Sequence, residues 1–388
     1  MEIPAILPKA AEGLPPSATL AGASPSVTLV PSEQIDKVFA RTTNLASSGL
    51  DTTVLSRSND YFASAENLLN PGPPVHKPGV FVHTGAWYDG WETRRHNAEP
   101  YDWVVIKLGA ASGAIEGVEV DTAFFVGNYG EKAELQGTYA PSGRSVTDAE
   151  IADPGYQGWK TILPAQACGP SQRRAWKLDA YDAAAPTPYT HVRLLMYPDG
   201  GFARLRLYGH AIPPPLPTSA VAGSAKPVEE LSSALLGGLL LSASDQHFTP
   251  ASNTILPGRG KDMGDGWETA RSRTPGHVDW AVFQLGLPGS VSKVVVDTKD
   301  FRGNFPREVR VHGLVKGDSH GQQEPGPDHR GWVELVKGDK KTQADTEHVF
   351  EGADLAAGGE DTRIFTHVKL TLVPDGGVKR FRIFGRRA

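Results

Sequence analysis

The sequence predicts an all-β fold of two tandem jelly-roll β-sandwich domains. Three observations carry that prediction: short apolar runs with a period of two, abundant turn residues between them, and one long unit that occurs twice. The chain has 388 residues, with 43 Gly and 31 Pro. That composition suits many short strands joined by turns. A hydrophobic share of 39% allows each half a core of its own.

The repeat is the clearest signal. Asp89-Gly90-Trp91-Glu92-Thr93-Arg94-Arg95 returns 176 residues later as Asp265-Gly266-Trp267-Glu268-Thr269-Ala270-Arg271. Asp102-Trp103 matches Asp279-Trp280, Val120-Asp121-Thr122 matches Val296-Asp297-Thr298, and Gly127-Asn128 matches Gly303-Asn304. The two copies end alike, on THVRLLMYPDGGFARLRLYG at 190–209 and THVKLTLVPDGGVKRFRIFG at 366–385, identical at 11 of 20 positions. They also open alike, on Ser58–Phe62 and Ser244–Phe248, and the first copy then carries a longer loop over 63–88. A repeat of this length is a whole domain and not a solenoid unit. Trp91 and Trp267 are expected at equivalent positions.

Within the first unit, Trp103–Leu108, Val118–Asp121, Val192–Met196 and Arg204–Tyr208 read as strands. Arg204, Arg206 and Tyr208 alternate with Leu205 and Leu207, the period of a half-buried strand. Pro198-Asp199-Gly200-Gly201 is a turn signal and predicts a hairpin between the last two strands. Helical periodicity is weak except near Ser32–Ala40. The expected organisation is a flexible tail over 1–45, a first sandwich over 46–212, a Pro/Ser/Ala-rich linker over 213–230 and a second sandwich over 231–388. The pattern of a Trp-led strand ending in Leu-Gly (Trp103–Gly109), an apolar strand (Ile115–Val120) and a closing strand ending in Tyr-Gly (Arg204–Gly209) resembles the galactose-binding, discoidin-like jelly roll.

Bulk properties narrow the function. Net charge is −5 with no basic block, which gives no footing for nucleic acid. The single Cys168 argues for a reducing, intracellular and cytoplasmic setting. No secretory leader is expected at the N-terminus, no membrane span at Leu235–Leu241, and Arg386-Arg387-Ala388 is not a peroxisomal signal.

The densest polar segment is Asp89–Asn97, DGWETRRHN. If extended, it places Glu92, Arg94 and His96 on one face and Trp91, Thr93 and Arg95 on the other. A structural reading, a strand edge with a Glu–Arg pair and a core Trp, stands beside a catalytic one. Arg94, His96 and Asn97 become Ala270, Ser272 and Arg273 in the second copy, so the divergent positions suit specialised chemistry. Asp121 and Asp297 end apolar strands before loops, where a carboxylate either caps loop amides or serves as a ligand. Asn128 and Asn304 suit turns, and His191 and His367 suit structural roles, while His247 and His277 are weaker candidates. Cys168 has no visible base and is expected to be non-catalytic. Metal and cofactor requirements stay open: no short metal-ligand spacing is present, and a site built from distant loops is not excluded by spacing.

Several stretches together resemble allantoicase: Ala65–Leu69 (AENLL), Gly85–Asn97, Asp121–Asn128, Cys168–Arg173 (CGPSQR), Tyr197–Gly209, and in the second half Ser244–Phe248, Leu256–Gly260, Asp265–His277, Asp297–Asn304 and Val373–Arg382. The likeness runs from about Ser56 to the C-terminus. It implies a hydrolase that converts allantoate and water to ureidoglycolate and urea, acting on a small molecule as a homo-oligomer, with no nucleic acid or membrane partner. The roles inferred for that chemistry are Glu92 and His96 as acid and base, Arg94 or Arg95 as a carboxylate clamp, and Asn97 and Asn128 as ureido partners. Glu268, Arg271 and Arg273 form a second substrate-binding set. Two rivals are another ureide-processing enzyme and a noncatalytic pair of ligand-binding modules.

Overall fold

Strand Arg204–Ala211 buries Leu205 and Leu207 and leaves Arg206 and Tyr208 half-buried, as its alternation requires. The same logic builds the rest. The computed structural model describes residues 24–141, 146–216, 226–317, 324–358 and 361–388. They divide between His210 and Ala211 into two units.

The first unit holds two five-stranded sheets. One runs in the order Val27–Val30, Arg173–Leu178, Gly113–Asp121, Arg204–Ala211, Thr43–Asn44. The other runs Lys160–Ala167, Lys132–Thr138, His191–Tyr197, Asp102–Lys107, Thr53–Arg57. Val104, Ile106, Val192 and Leu194 of one sheet and Val118, Val120, Leu205 and Leu207 of the other are all 1% exposed or less and form the sandwich interior. The outer face of the second sheet is closed by Ile151 and Trp159, which cluster with Tyr101, Trp103 and Leu195. Ile151 belongs to helix Asp148–Ala152, started by a Thr147–Glu150 capping box.

The second unit repeats the core of this plan and differs at the corner between its layers. Asp279–Asp297 is a single 19-residue strand. Its first half pairs with Leu239–Ala243 and Phe365–Val373, and its second half with Glu347–Glu351 and Arg380–Arg387. It therefore carries both layers, whereas the first unit breaks the equivalent stretch between Lys107 and Gly113. The Leu-Gly motif has a packing reason at this corner. A Cβ on Gly109 would fall 1.7 Å from the Leu50 carbonyl oxygen, and one on Gly286 would fall 2.2 Å from that of Leu236. Both carbonyls close the same kind of 3-10 turn, Ser48–Leu50 and Ala234–Leu236.

Three expectations are corrected. The predicted tail gives way to structure from Val27: Val27–Val30 pairs with Arg173–Leu178, and Val30, Ile35 and Phe39 pack on Ala175. The short helix Ile35–Val38 lies inside the one stretch read as helical. Residues 1–23 lie outside the described set. The predicted linker ends early, because Glu229–Glu230 pairs with Phe384–Gly385. The predicted hairpin is absent. His191–Tyr197 and Arg204–Ala211 lie in different sheets, and the Pro198–Gly201 turn carries the chain from one layer to the other. Gly201–Phe202 pairs instead with Trp91–Glu92, and Gly377–Val378 pairs with Trp267–Glu268.

Candidate active site

That two-stranded ribbon anchors the polar motif. Trp91 is fully buried and donates Nε1 to the Asn59 carbonyl at 2.9 Å. Trp267 does the same to Asp245 at 2.8 Å, so the two tryptophans are equivalent as expected. Beneath the loops lies Arg204, 0% exposed. It donates to the carbonyls of Gly72, Asn67 and Asp89 and to the Asp89 carboxylate at 2.7 Å. Arg380 binds the carbonyls of Gly258 and Asp265 in the second copy. A guanidinium suits this task because its fork of donors satisfies several loop carbonyls at once.

The strand ends at Glu92. Beyond it the backbone turns to other partners: Thr93 N–H to the Gly200 carbonyl at 2.9 Å, Arg94 N–H to Asn59 Oδ1 at 2.8 Å, and His96 N–H to Asp199 Oδ2 at 2.8 Å. His96 takes a φ of 57°. The two-faced alternation expected for this segment is therefore not formed. His96 is exposed, and Arg94 is exposed with its guanidinium 4.4 Å from the Tyr61 ring centroid. Arg95 is the arginine whose charge acts on Glu92. Its Nε meets Asp199 Oδ1 at 3.1 Å, and its Nη1 is buried with no partner among the described residues. Asn97 turns inward and donates to Asp102 Oδ2 at 2.8 Å.

Glu92 is 6% exposed and accepts a hydrogen bond from Asn128 Nδ2 at 2.6 Å. Burial pushes its carboxyl above the ordinary value, opposed by the Asn128 bond and the Arg95 charge. The second copy repeats the pair, with Asn304 donating to Glu268. Arg271 there is exposed and donates to the Gly303 carbonyl at 3.4 Å, and Arg273 is exposed. Asp121 and Asp297 cap the amides of Ala123 and Lys299 at 2.7 and 2.9 Å, as expected of strand-ending carboxylates. His191 is 1% exposed and bonds Thr190 and Asp148, a structural role. Cys168 is half-buried, and burial pushes its thiol up to about 12.

The sequence reading passed over Asn59, Asp199 and Arg204. The first two mattered only as parts of an opening motif and a turn. Their signal was present, because Asp245, Asp375 and Arg380 stand at matched positions and do matched work, Asp375 accepting from Ser272 N–H at 2.7 Å. The Pro-Asp-Gly-Gly turn is demanding as well: Gly200 and Gly376 take φ of 133° and 136°, close against the carbonyls of Asn128 and Asn304.

The family model described as the allantoicase repeat matches residues 43–212 and again 229–388. This chain belongs to the allantoicase family. The allantoicase of Neurospora crassa is 50% identical over 365 residues, covering 93% of this chain and 96% of the relative. That of Saccharomyces cerevisiae is 46% identical over 341 residues, covering 87% and 92%. The crystal structure of the Saccharomyces cerevisiae allantoicase superposes with a TM-score of 0.74 at 40% identity, over 93% of this chain and 100% of that one. The two-sandwich fold is thus that of the allantoicase family. Among the described residues, no group of three or more His, Cys, Asp or Glu side chains is placed to hold a metal ion, and no helix is long and apolar enough to cross a membrane.

Proposed function

We propose that this protein hydrolyses allantoate to ureidoglycolate and urea. The observation that carries the reading is membership of the allantoicase family over both repeats, with 50% identity along nearly the full length of a curated allantoicase. The reaction replaces one ureido group on the central carbon of allantoate by a hydroxyl. Water adds its oxygen to that carbon, and the C–N bond breaks with its electron pair leaving on nitrogen. A proton delivered to that nitrogen completes urea.

The first-copy loops supply groups for this chemistry. Glu92, whose carboxyl burial keeps protonated to higher pH than usual, serves as the acid for the departing nitrogen. Arg95, held by Asp199 through Nε, clamps the substrate carboxylate. Arg94 on Tyr61 lines the mouth of the site. Asn128 holds Glu92 and faces the ureido groups. His96 acts as the base for the incoming water, and Asn97 acts through Asp102. Glu268, Arg271 and Arg273 bind substrate in the second copy.

The enzyme is further read as a cytoplasmic homo-oligomer with a small-molecule substrate. The free Cys168 supports a reducing compartment, and sedimentation of the purified chain measures its association. Urea release from allantoate by purified protein tests the activity. A chain that folds and releases no urea would point to the binding-module reading.

A further inference from the structure

One carboxylate serves two of the groups assigned to allantoate. Asp199 places Oδ1 3.1 Å from Arg95 Nε and accepts the His96 backbone N–H on Oδ2 at 2.8 Å. It is 5% exposed and stands in the Pro198-Asp199-Gly200-Gly201 turn. The next residue of that turn holds the start of the same segment. The Gly200 carbonyl accepts the Thr93 N–H at 2.9 Å, and the Gly200 N–H donates to Thr93 Oγ1 at 3.1 Å. A single turn therefore fixes both ends of the run from Thr93 to His96.

The second copy separates the two tasks of the carboxylate. Gly376 holds Thr269 in the same way, through contacts of 3.2 and 3.0 Å, and Asp375 accepts the Ser272 N–H at 2.7 Å. The backbone contact is scaffold, common to both copies. The arginine contact is not. Arg271, the counterpart of Arg95, donates instead to the Gly303 carbonyl, and Asp375 is only half-buried. The ion pair stands in the copy that has His96, and the copy with Ser272 does without it.

The pair acts in both directions. A buried carboxylate left without a cation is costly, and Arg95 removes that cost for Asp199. A guanidinium tied at its Nε edge has its plane set. It loses less rotamer freedom on meeting a carboxylate than one that swings freely. The Arg95 charge also acts on Glu92, so the place of this guanidinium bears on the acid as well as on the clamp.

We propose that Asp199 is the positioning residue of the first-copy site, holding the Arg95 clamp and the His96 backbone in one frame. It acts through these two residues. The proposal rests on the allantoate reading for its kinetic consequence and on the Asp199–Arg95 pair for its geometry.

The full chain is used for the test, with rates taken per folded molecule. Asp199→Asn keeps an oxygen for the His96 N–H and removes the charge opposite Arg95. It should lower kcat/KM for allantoate roughly tenfold to a hundredfold, the size of one charge-assisted hydrogen bond, mainly through KM. On an Arg95→Ala background the same change should cost less than about twofold, because no arginine is left to hold. Asp375→Asn, which alters only the scaffold contact of the second copy, should leave kcat/KM unchanged. Arg95→Lys leaves the cap on His96 in place. It replaces Asp199→Asn if that variant does not fold, and it should lose as much. Nitrogen-15 NMR of the Arg95 Nε–H reads the pair without substrate: its exchange with solvent should be slow in the wild type and fast in Asp199→Asn. A wild type that releases no urea removes the allantoate reading and leaves this exchange to decide the pair. No kinetic loss in Asp199→Asn, an equal loss with and without Arg95, or a fast-exchanging Nε–H in the wild type overturns the proposal.

Discussion

Asn128 donates its side-chain amide to the Glu92 carboxylate at 2.6 Å, and Asn304 does the same for Glu268 in the other copy. The bond favours the charged form of a carboxylate that burial drives the opposite way. The balance between these two effects sets the pH at which Glu92 loses its proton.

That balance is testable. If protonated Glu92 is the acid, activity falls as pH rises through its raised value. Asn128→Ala removes an interaction with the ionised form, so the value rises further and the alkaline limb of kcat moves to higher pH. Profiles of the two proteins decide it. A limb that stays in place or moves to lower pH removes Glu92 as the titrating acid.

Glu92→Gln should lower kcat by roughly 10²–10⁴-fold, the usual contribution of a general acid, with KM changing less. The amide still accepts from Asn128 and carries no buried charge, so melting temperature should hold. His96→Ala is measured beside it. If both variants turn over at wild-type rates per folded molecule, the corresponding second-copy set of Glu268, Arg271 and Arg273 becomes the one to test.

Arg95→Ala should reduce kcat/KM about ten- to a hundredfold, from loss of roughly 1.5–3 kcal/mol of charge-assisted hydrogen bonding to a substrate carboxylate. Arg94→Ala should do less, because its guanidinium lies on Tyr61 in the open. Steady-state kinetics on both variants rank the arginines. A larger loss at Arg94 would reverse the assignment of the clamp.

Arg204→Met should destabilise the first unit by about 3–5 kcal/mol, the usual cost of removing one partner of a buried pair. It strands Asp89, whose side chain is 8% exposed, and frees several loop carbonyls. Chemical denaturation measures the change. An unchanged midpoint would mean that the loops hold without the guanidinium.

Cys168→Ala should fold and keep full turnover. Burial holds the thiol protonated, up to about 12, so little thiolate exists at neutral pH. Loss of urea release in a folded Cys168→Ala protein would overturn a non-catalytic role for the thiol.

The sequence by itself determined the repeat, the all-β class, the main strands of the first unit and the equivalence of Trp91 with Trp267. These are local or self-similar properties. Alternation such as that of Leu205 and Leu207 needs only a pleated backbone and one wet side, and a duplicated motif carries its own alignment. The capping roles of Asp121 and Asp297 were legible for the same reason, since each acts two residues away. Tertiary structure decided what depends on distant partners. Strands His191–Tyr197 and Arg204–Ala211 read as a hairpin because a turn lies between them, yet Gly201–Phe202 pairs with Trp91–Glu92 in a separate ribbon and the chain changes layers. The polar motif read as one continuous strand, yet Asn59, Asp199 and Gly200 take its backbone N–H groups after Glu92 and turn Arg94 and Arg95 to different neighbours. Residues far apart in sequence compete for the same backbone donors, and periodicity holds no record of which partner wins.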